Sequence, residues 1–378
     1  MEKLSVKEGK IMIVRNSQSY RLLTLVAMSG ECSKEAMELL MPQDSYRKKL
    51  MMQLTGDNLI KGYEKNAVKG YRLSRRGKML LLQMDKERFG FFLEEGADAT
   101  MRRSKLPQRE RQHRVSEVLA MMGRSGVEIY WDRKEHIFED TDEQILGILQ
   151  AAFYLPKEVK SQMDLSRKII NSKLAGVWLT ESAVWVCYNM GPRLINWYEN
   201  VEVRADILIR SILKKKGMIF RGSCAVLFGE SMAQAKLCLE DPMTRAYFAN
   251  SSFERICFVP LDEQGKALLQ IIGDADMYEH LREGLMEDLV QERIGTIACD
   301  GVSPEGRYVL ICTDMDLKRV IQFNTRMQYS RERGEVYCFG FQKDVIRDFC
   351  NENIEIMEVD FEIVKEIFRL NDERDFSA

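Results

Sequence analysis

Apolar positions first recur at helical spacing in residues 17–28, SQSYRLLTLVAM. There Leu22, Leu23 and Val26 share a face behind Ser17, a side chain suited to cap the first turn. Gly30 ends that helix, and Ser33 caps a second, KEAMELLM, whose Glu35 and Glu38 sit early in the helix, where its positive end favours them. Pro42 stops it. The segment QDSYRKKLMMQLTGDN predicts a third helix, capped by Asp44 or Ser45 and closed near Gly56. Two short runs about a basic turn follow, LIKGYEKNAVKGYRL, and then Ser74 opens a fourth helix, RRGKMLLLQM. Helix, helix, helix, β-wing, helix is the order of a winged helix-turn-helix, and each boundary carries its own local signal.

Beyond it the pattern loosens. Residues 84–115 are rich in charge and read as a linker or docking arm, with one apolar patch at Phe89–Leu93. A helix is predicted from Val115 to Met122, a hairpin over VEIYWDRKEHIFED, and helix over 141–176. GVWLTESAVWVCYNMG supplies two strands, and LINWYENVEVRADILIRSILKKKG a long amphipathic helix. From there strand and helix alternate: MIFRGSCAVLFG, the helix after Ser231, the strands FERICFVPL and ALLQIIG, and a helix over 275–290. The clearest stretch is last, with strands YVLICT, VYCFGF and IEIMEV each followed by an amphipathic helix. Such alternation implies βαβ units. The fold class expected is therefore α+β or α/β and multidomain. A winged helix at 1–83 and a linker at 84–115 precede a mixed or mostly parallel α/β body at 116–378, with a sub-boundary near 217.

Composition adds less than the distribution of charge. With 378 residues, 45% hydrophobic and 30% charged, the chain is ordinary globular material for two or three domains. No run is long and apolar enough for a membrane helix, and no N-terminal signal segment is present, so a cytoplasmic protein is expected. Its nine cysteines contain no CxxC pair and lie mostly in apolar runs, as reduced, buried thiols would. The net charge of −2 conceals a division. Residues 1–115 hold 24 Lys+Arg against 14 Asp+Glu, a balance of +10, and the remainder 32 against 44, a balance of −12. A basic segment joined to an acidic body points to a polyanion-binding module on a scaffold with another task.

The third helix sharpens this. At 100° per residue Tyr46, Leu50 and Leu54 fall on one face, which is expected to pack inward. Ser45, Lys48, Lys49 and Met52 fall opposite, with Arg47 to one side. An apolar seam inward with short polar or cationic groups outward is what a recognition helix requires. Lys65 and Lys69 sit at the wing tip, and Arg72, Arg75 and Arg76 at its base. These ten residues form the expected DNA-contacting set, and binding through them weakens steeply with salt.

The body carries no constellation from which chemistry can be read. GxGxxG and GxxxxGK[ST] are absent, and FGESMA at 228–233 lacks the GxSxG elbow, leaving Ser231 as a helix cap. Three scattered histidines give no metal spacing, and Glu158-Val159-Lys160 stands in a helical context rather than on a strand. Glu199, Glu202 and Asp206 share a helix and read as a solvated face. Asp274, Asp276 and Asp300 read as loop residues without partners. No cofactor, metal or catalytic residue is expected.

The order YRLSRRGKMLL, RRSKLPQRERQHRVSEVLAMM and GVEIYWDRKEHIF resembles the replication-relaxation family, also described as MobC-like, over residues 15–140 and more loosely beyond. Members accompany plasmids and conjugative elements. The resemblance implies a winged helix on a degenerate restriction-endonuclease-like body, without the acidic nuclease residues here. It also implies a replication or mobilisation accessory factor that binds double-stranded DNA. Partners would be a relaxase or replication protein, and a homodimer is expected because two-fold symmetry is the usual route to specificity. Two other readings stay open. One is a transcription regulator sensing a ligand near Asp314 and Gln342, and the other a metal-dependent nuclease assembled from distant residues.

Overall fold

The computed structural model describes residues 13–93, 105–139, 141, 144, 145, 147, 150–161, 172–290 and 299–370. It is a mixed α and β structure with parallel and antiparallel pairings, in two compact units. The first comprises the described parts of Met1–His136 together with Ala152–Leu155, and the second Ile137–Ala151 and Pro156–Glu373.

The first unit is built around α1 (Gln18–Ser29), in which Tyr20, Leu22 and Leu23 are fully enclosed. Burying each such leucine contributes about 2 kcal/mol. Ser17 caps α1 by accepting from the Tyr20 N–H at 3.2 Å, and Gly30 closes it at φ 76°, in the left-handed region that glycine adopts without strain. α2 (Lys34–Leu40) is capped by Ser33, and α3 (Asp44–Gly56) follows Pro42. β1 (Ile60–Lys65) and β2 (Val68–Leu73) pair antiparallel in register Lys65↔Val68 to Ile60↔Leu73. Ser74 then caps α4 (Arg75–Met84), accepting from the Gly77 N–H at 3.0 Å. A bridge between Cys32 and Tyr71 lays the α1–α2 connection beside β2.

Residues 86–93 and 106–124 are helices of this unit and not a linker arm. α5 (Lys86–Leu93) sets Phe89 edge-on to Tyr20 at 5.8 Å. α6 (Leu106–Arg124) packs on α1, α2 and β2, so the helix predicted from Val115 begins about two and a half turns earlier. Val115, Val118, Leu119, Met121 and Met122 line its buried side. The hairpin expected over 127–140 is absent. Glu128 instead bridges in parallel to Ala152 in β3 (Ala152–Tyr154), and Trp131–Arg133 forms a single 3-10 turn. Arg88 ties that turn to α5 through Nε and Nη2 donating to Asp132 at 2.7 and 2.8 Å.

The first described helix of the second unit is α7 (Pro156–Ser161), so with β3 the helix expected over 141–176 is strand, short helix and strand where described. β4 (Leu174–Leu179) and β5 (Val184–Asn189) pair antiparallel and are wholly buried. α8 (Glu199–Lys215), β6 (Ser223–Gly229), α9 (Met232–Glu240), α10 (Pro242–Asn250) and β7 (Ile256–Pro260) follow, with β5, β6 and β7 parallel.

The apolar run ALLQIIG is not a strand. It lies in α11 (Glu263–Gly273), because Asp262 accepts from the Gly265 N–H and starts a helix. α12 (Ala275–Met286) is next. β8 (Gly301–Val302), β9 (Tyr308–Ile311), α13 (Leu317–Ser330), β10 (Gly334–Phe339), α14 (Gly340–Phe349), β11 (Ile354–Val359) and α15 (Phe361–Phe368) complete the unit. Their strands lie in the order β11-β10-β9-β8, with β9, β10 and β11 parallel. No helix among the described residues is long and apolar enough to cross a membrane.

Candidate nucleic-acid interface

α3 turns Leu50 and Leu54 inward, and the third residue of that seam is Arg47, not Tyr46. Arg47 stands at i−3 from Leu50 and i−7 from Leu54, so helical phase carries it under α3 while Tyr46, 46% exposed, moves to the flank. Its guanidinium donates to the Met41 carbonyl at 2.7 Å, to Glu38 at 2.9 Å and to Asp44 at 2.6 Å. Arg47 thus closes the end of α2 and the start of α3, and the expectation that it faces DNA is corrected.

Ser45, Lys48, Lys49 and Met52 are exposed on the opposite side, Met52 by 70%. Lys48 reaches back one turn to Asp44 at 2.6 Å, which lowers the Asp44 pKa and partly neutralises Lys48. Lys49 has no hydrogen bond or ion pair from its side chain among the described residues.

The hairpin divides similarly. Lys65 and Lys69 flank a two-residue tip, Asn66 and Ala67, both at positive φ (54° and 60°), the geometry that matches the twist of two tightly joined strands. Both lysines are exposed, as are Arg75 and Arg76 in the first turn of α4, and none of the four makes a side-chain hydrogen bond or ion pair among the described residues. Arg72 is the second correction. It is buried and donates to Glu31 from Nε at 2.8 Å and Nη2 at 2.5 Å, with its guanidinium 3.9 Å above the Tyr63 ring.

Glu31 is the centre of a polar cluster that the sequence does not announce. Fully buried, it also accepts from Arg109 (Nη2 at 2.6 Å) and meets His113 Nε2 at 2.9 Å. Burial alone would raise its pKa, but the hydrogen bonds from His113, Arg109 and Arg72 outweigh it and hold the carboxyl down at about 2. Gly70 makes the room, since a Cβ there would stand 2.3 Å from Glu31 Oε1 and 2.6 Å from His113 Nε2. The exposed cations of the expected set therefore lie on α3's outer face, at the hairpin tip and at the start of α4, and the two buried arginines are held by carboxylates.

In the second unit three of the six carboxylates read as solvated or unpartnered, Glu202, Asp206 and Asp300, are buried. Glu199 is exposed, but buried Glu202 accepts from the Ser172 hydroxyl, the Lys173 N–H and the Tyr188 hydroxyl at 2.8–3.1 Å. Asp206, also buried, pairs with Ser223 and Arg210. Asp274 caps α12, and Asp300 accepts from Arg282 at 2.8 Å, Arg319 at 2.7 Å and the Ile311 N–H. Asp314 and Gln342 are buried too, accepting from the Tyr278 hydroxyl at 2.8 Å and donating to the Thr313 carbonyl at 3.0 Å. Asp316 caps α13 through Oδ1, while its Oδ2 has no hydrogen-bond partner. Among the described residues no group of three or more His, Cys, Asp and Glu is arranged to hold a metal ion.

No family model, curated protein or solved structure matches the chain.

Proposed function

We infer that the first unit is a winged-helix module that binds double-stranded DNA, as the accessory factor of a mobile element that the family resemblance suggests. The observation that carries this reading is the segregation of cations. Arg47 is tied to Glu38 and Asp44 of its own unit and Arg72 to the buried Glu31, whereas Lys49, Lys65, Lys69, Arg75 and Arg76 stand exposed and unpaired among the described residues, with Lys48 beside them. Unpaired cations need break no existing ion pair to reach phosphates, and each neutralised phosphate releases counterions. Ser45 and Met52, outward on the same helix, have the reach and chemistry for base edges and thymine methyl groups.

The test is fluorescence anisotropy of the full chain on duplex DNA at several salt concentrations, with sequencing of DNA that co-purifies. Lys48→Ala with Lys49→Ala is expected to weaken a salt-sensitive affinity at least tenfold. Unchanged binding would return this face to protein contacts. Co-purified DNA drawn evenly from the genome, without a mobile-element sequence, would remove the accessory-factor part of the reading.

A further inference from the structure

An antiparallel hairpin of two strands is at best marginally stable by itself, so a wing that presents cations at fixed positions needs external support. At its base β2 is held by the paired hydrogen bonds between Cys32 and Tyr71, at 3.0 and 2.9 Å. At its tip the support is one side chain from α6. Arg109 donates from Nη1 to the Lys65 carbonyl at 2.8 Å, and from Nη2 to the carbonyls of Tyr63 at 3.0 Å and Val68 at 2.9 Å. Those acceptors lie on both strands, on either side of the Asn66–Ala67 turn. The guanidinium is fully buried, lies 4.6 Å from the Tyr63 ring centre, and is fixed from behind by Glu31. A rigid planar fork of five donors can meet three carbonyls on two strands and a carboxylate at once, whereas a lysine ammonium offers three donors on one flexible tip.

We propose that Arg109 is the positioning residue of the wing: it touches no DNA, but it fixes the orientation in which Lys65 and Lys69 meet phosphates. The proposal rests on the duplex-binding reading above and adds to it a residue from a helix outside the winged-helix order. Glu31 and Gly70 belong to the same device, Glu31 by anchoring the guanidinium and Gly70 by leaving space for the Glu31 side chain.

The experiment compares the full chain with Arg109→Lys, with Lys65→Ala/Lys69→Ala, and with all three changes together, on a short labelled duplex of random sequence across a salt series. Arg109→Lys is expected to weaken binding about tenfold. It should make the slope of log K against log salt shallower by about 1.8, at about 0.9 for each lost phosphate contact, like the double lysine variant. On the lysine-free background it should change neither quantity further. An unchanged slope, or an equal loss on both backgrounds, would overturn the proposal, because a general loss of stability acts whether or not the lysines are present.

Hydrogen exchange separates this from failure of the DNA reading. Amides of residues 61–69 should exchange at least tenfold faster in Arg109→Lys while those of α1 keep their wild-type rates. If that holds and the wild-type chain binds no duplex, the DNA reading falls and the wing-positioning role falls with it. If duplex binding holds and the exchange rates match, Arg109 alone is refuted. Should Arg109→Lys not fold, the wild-type chain decides, since tip amides exchanging much faster than base amides would show that Arg109 does not hold the tip.

Discussion

Replacing Glu31 by glutamine keeps the shape of the side chain and removes its charge. The cost has two sources. In the folded chain the carboxyl is held at about 2 against an ordinary 4.5, which corresponds to about 3 kcal/mol of stabilisation of the ionised form. The substitution also leaves Arg72 and Arg109 buried without their counter-charge, a loss of about 3–5 kcal/mol when one partner of a buried pair is removed. These overlap, so Glu31→Gln is expected to destabilise the first unit by about 3–4 kcal/mol at neutral pH. The sign with pH follows from a lowered carboxyl pKa: the stabilisation is present above about pH 4.5 and is lost as pH falls toward about 2. Trp131 is the one tryptophan of the chain's four within the first unit, and it is stacked on Phe91 at 4.0 Å and on His136 at 4.1 Å. Chains labelled with 5-fluorotryptophan therefore report this unit's unfolding in a urea titration through the fluorine signal of Trp131. The wild type should lose stability as pH falls from about 4.5 toward about 2 that Glu31→Gln has already lost. A variant within about 1 kcal/mol of wild type at neutral pH, or parallel pH profiles, would refute the reasoning.

Two further changes test the same physics. Gly70→Ala should cost about 3 kcal/mol, read by the same fluorine titration, because its Cβ meets Glu31 and His113; Gly62→Ala, on the partner strand with nothing within 4 Å, is the control, and equal stabilities would count against the cluster. In the second unit, burial and then the neighbouring Asp314 charge raise the Asp316 pKa from 3.8 to about 6, so ionising it opposes folding as pH rises through that range. Asp316→Asn keeps the capping oxygen and should gain about 3 kcal/mol near pH 8 in urea unfolding followed by tryptophan fluorescence, the gain fading as pH falls from about 6 to about 4; no gain at the higher pH would show that Oδ2 finds compensation.

Elements with local punctuation are legible in the sequence. Ser17, Ser33 and Ser74 each cap the helix they announce, and the alternation from Tyr308 to Phe368 folds as it reads. Misreadings arise where the stabilising partner is remote. ALLQIIG is apolar but for Gln270 and too short for its period to separate strand from helix, and Asp262 decides. The start of α6, LPQRERQHR, looks like a solvated linker because its buried side there is Arg109 and Gln112 rather than leucine. Polar residues interior by virtue of a distant carboxylate leave no apolar stripe. Glu202 and Asp206 are the converse case, carboxylates held inside by donors such as Ser172, Tyr188 and Ser223 that lie far off in sequence.

For the candidate site this distinction has a numerical consequence. Counting cations along the sequence gives eight in the expected DNA-contacting set. Phase alone could have withdrawn Arg47, which shares the inner face of α3 with Leu50 and Leu54 and has Asp44 three residues before it. No local signal could have withdrawn Arg72, whose partner lies 41 residues away. Six cations remain exposed, and Lys48 is shared with Asp44. At about 0.9 per phosphate the salt slope from this surface cannot exceed about 5.4, whereas the sequence count would allow about 7. A steeper measured slope would require cations outside this surface. A slope within the bound is what the six exposed cations can supply without Arg47 or Arg72 reaching phosphate.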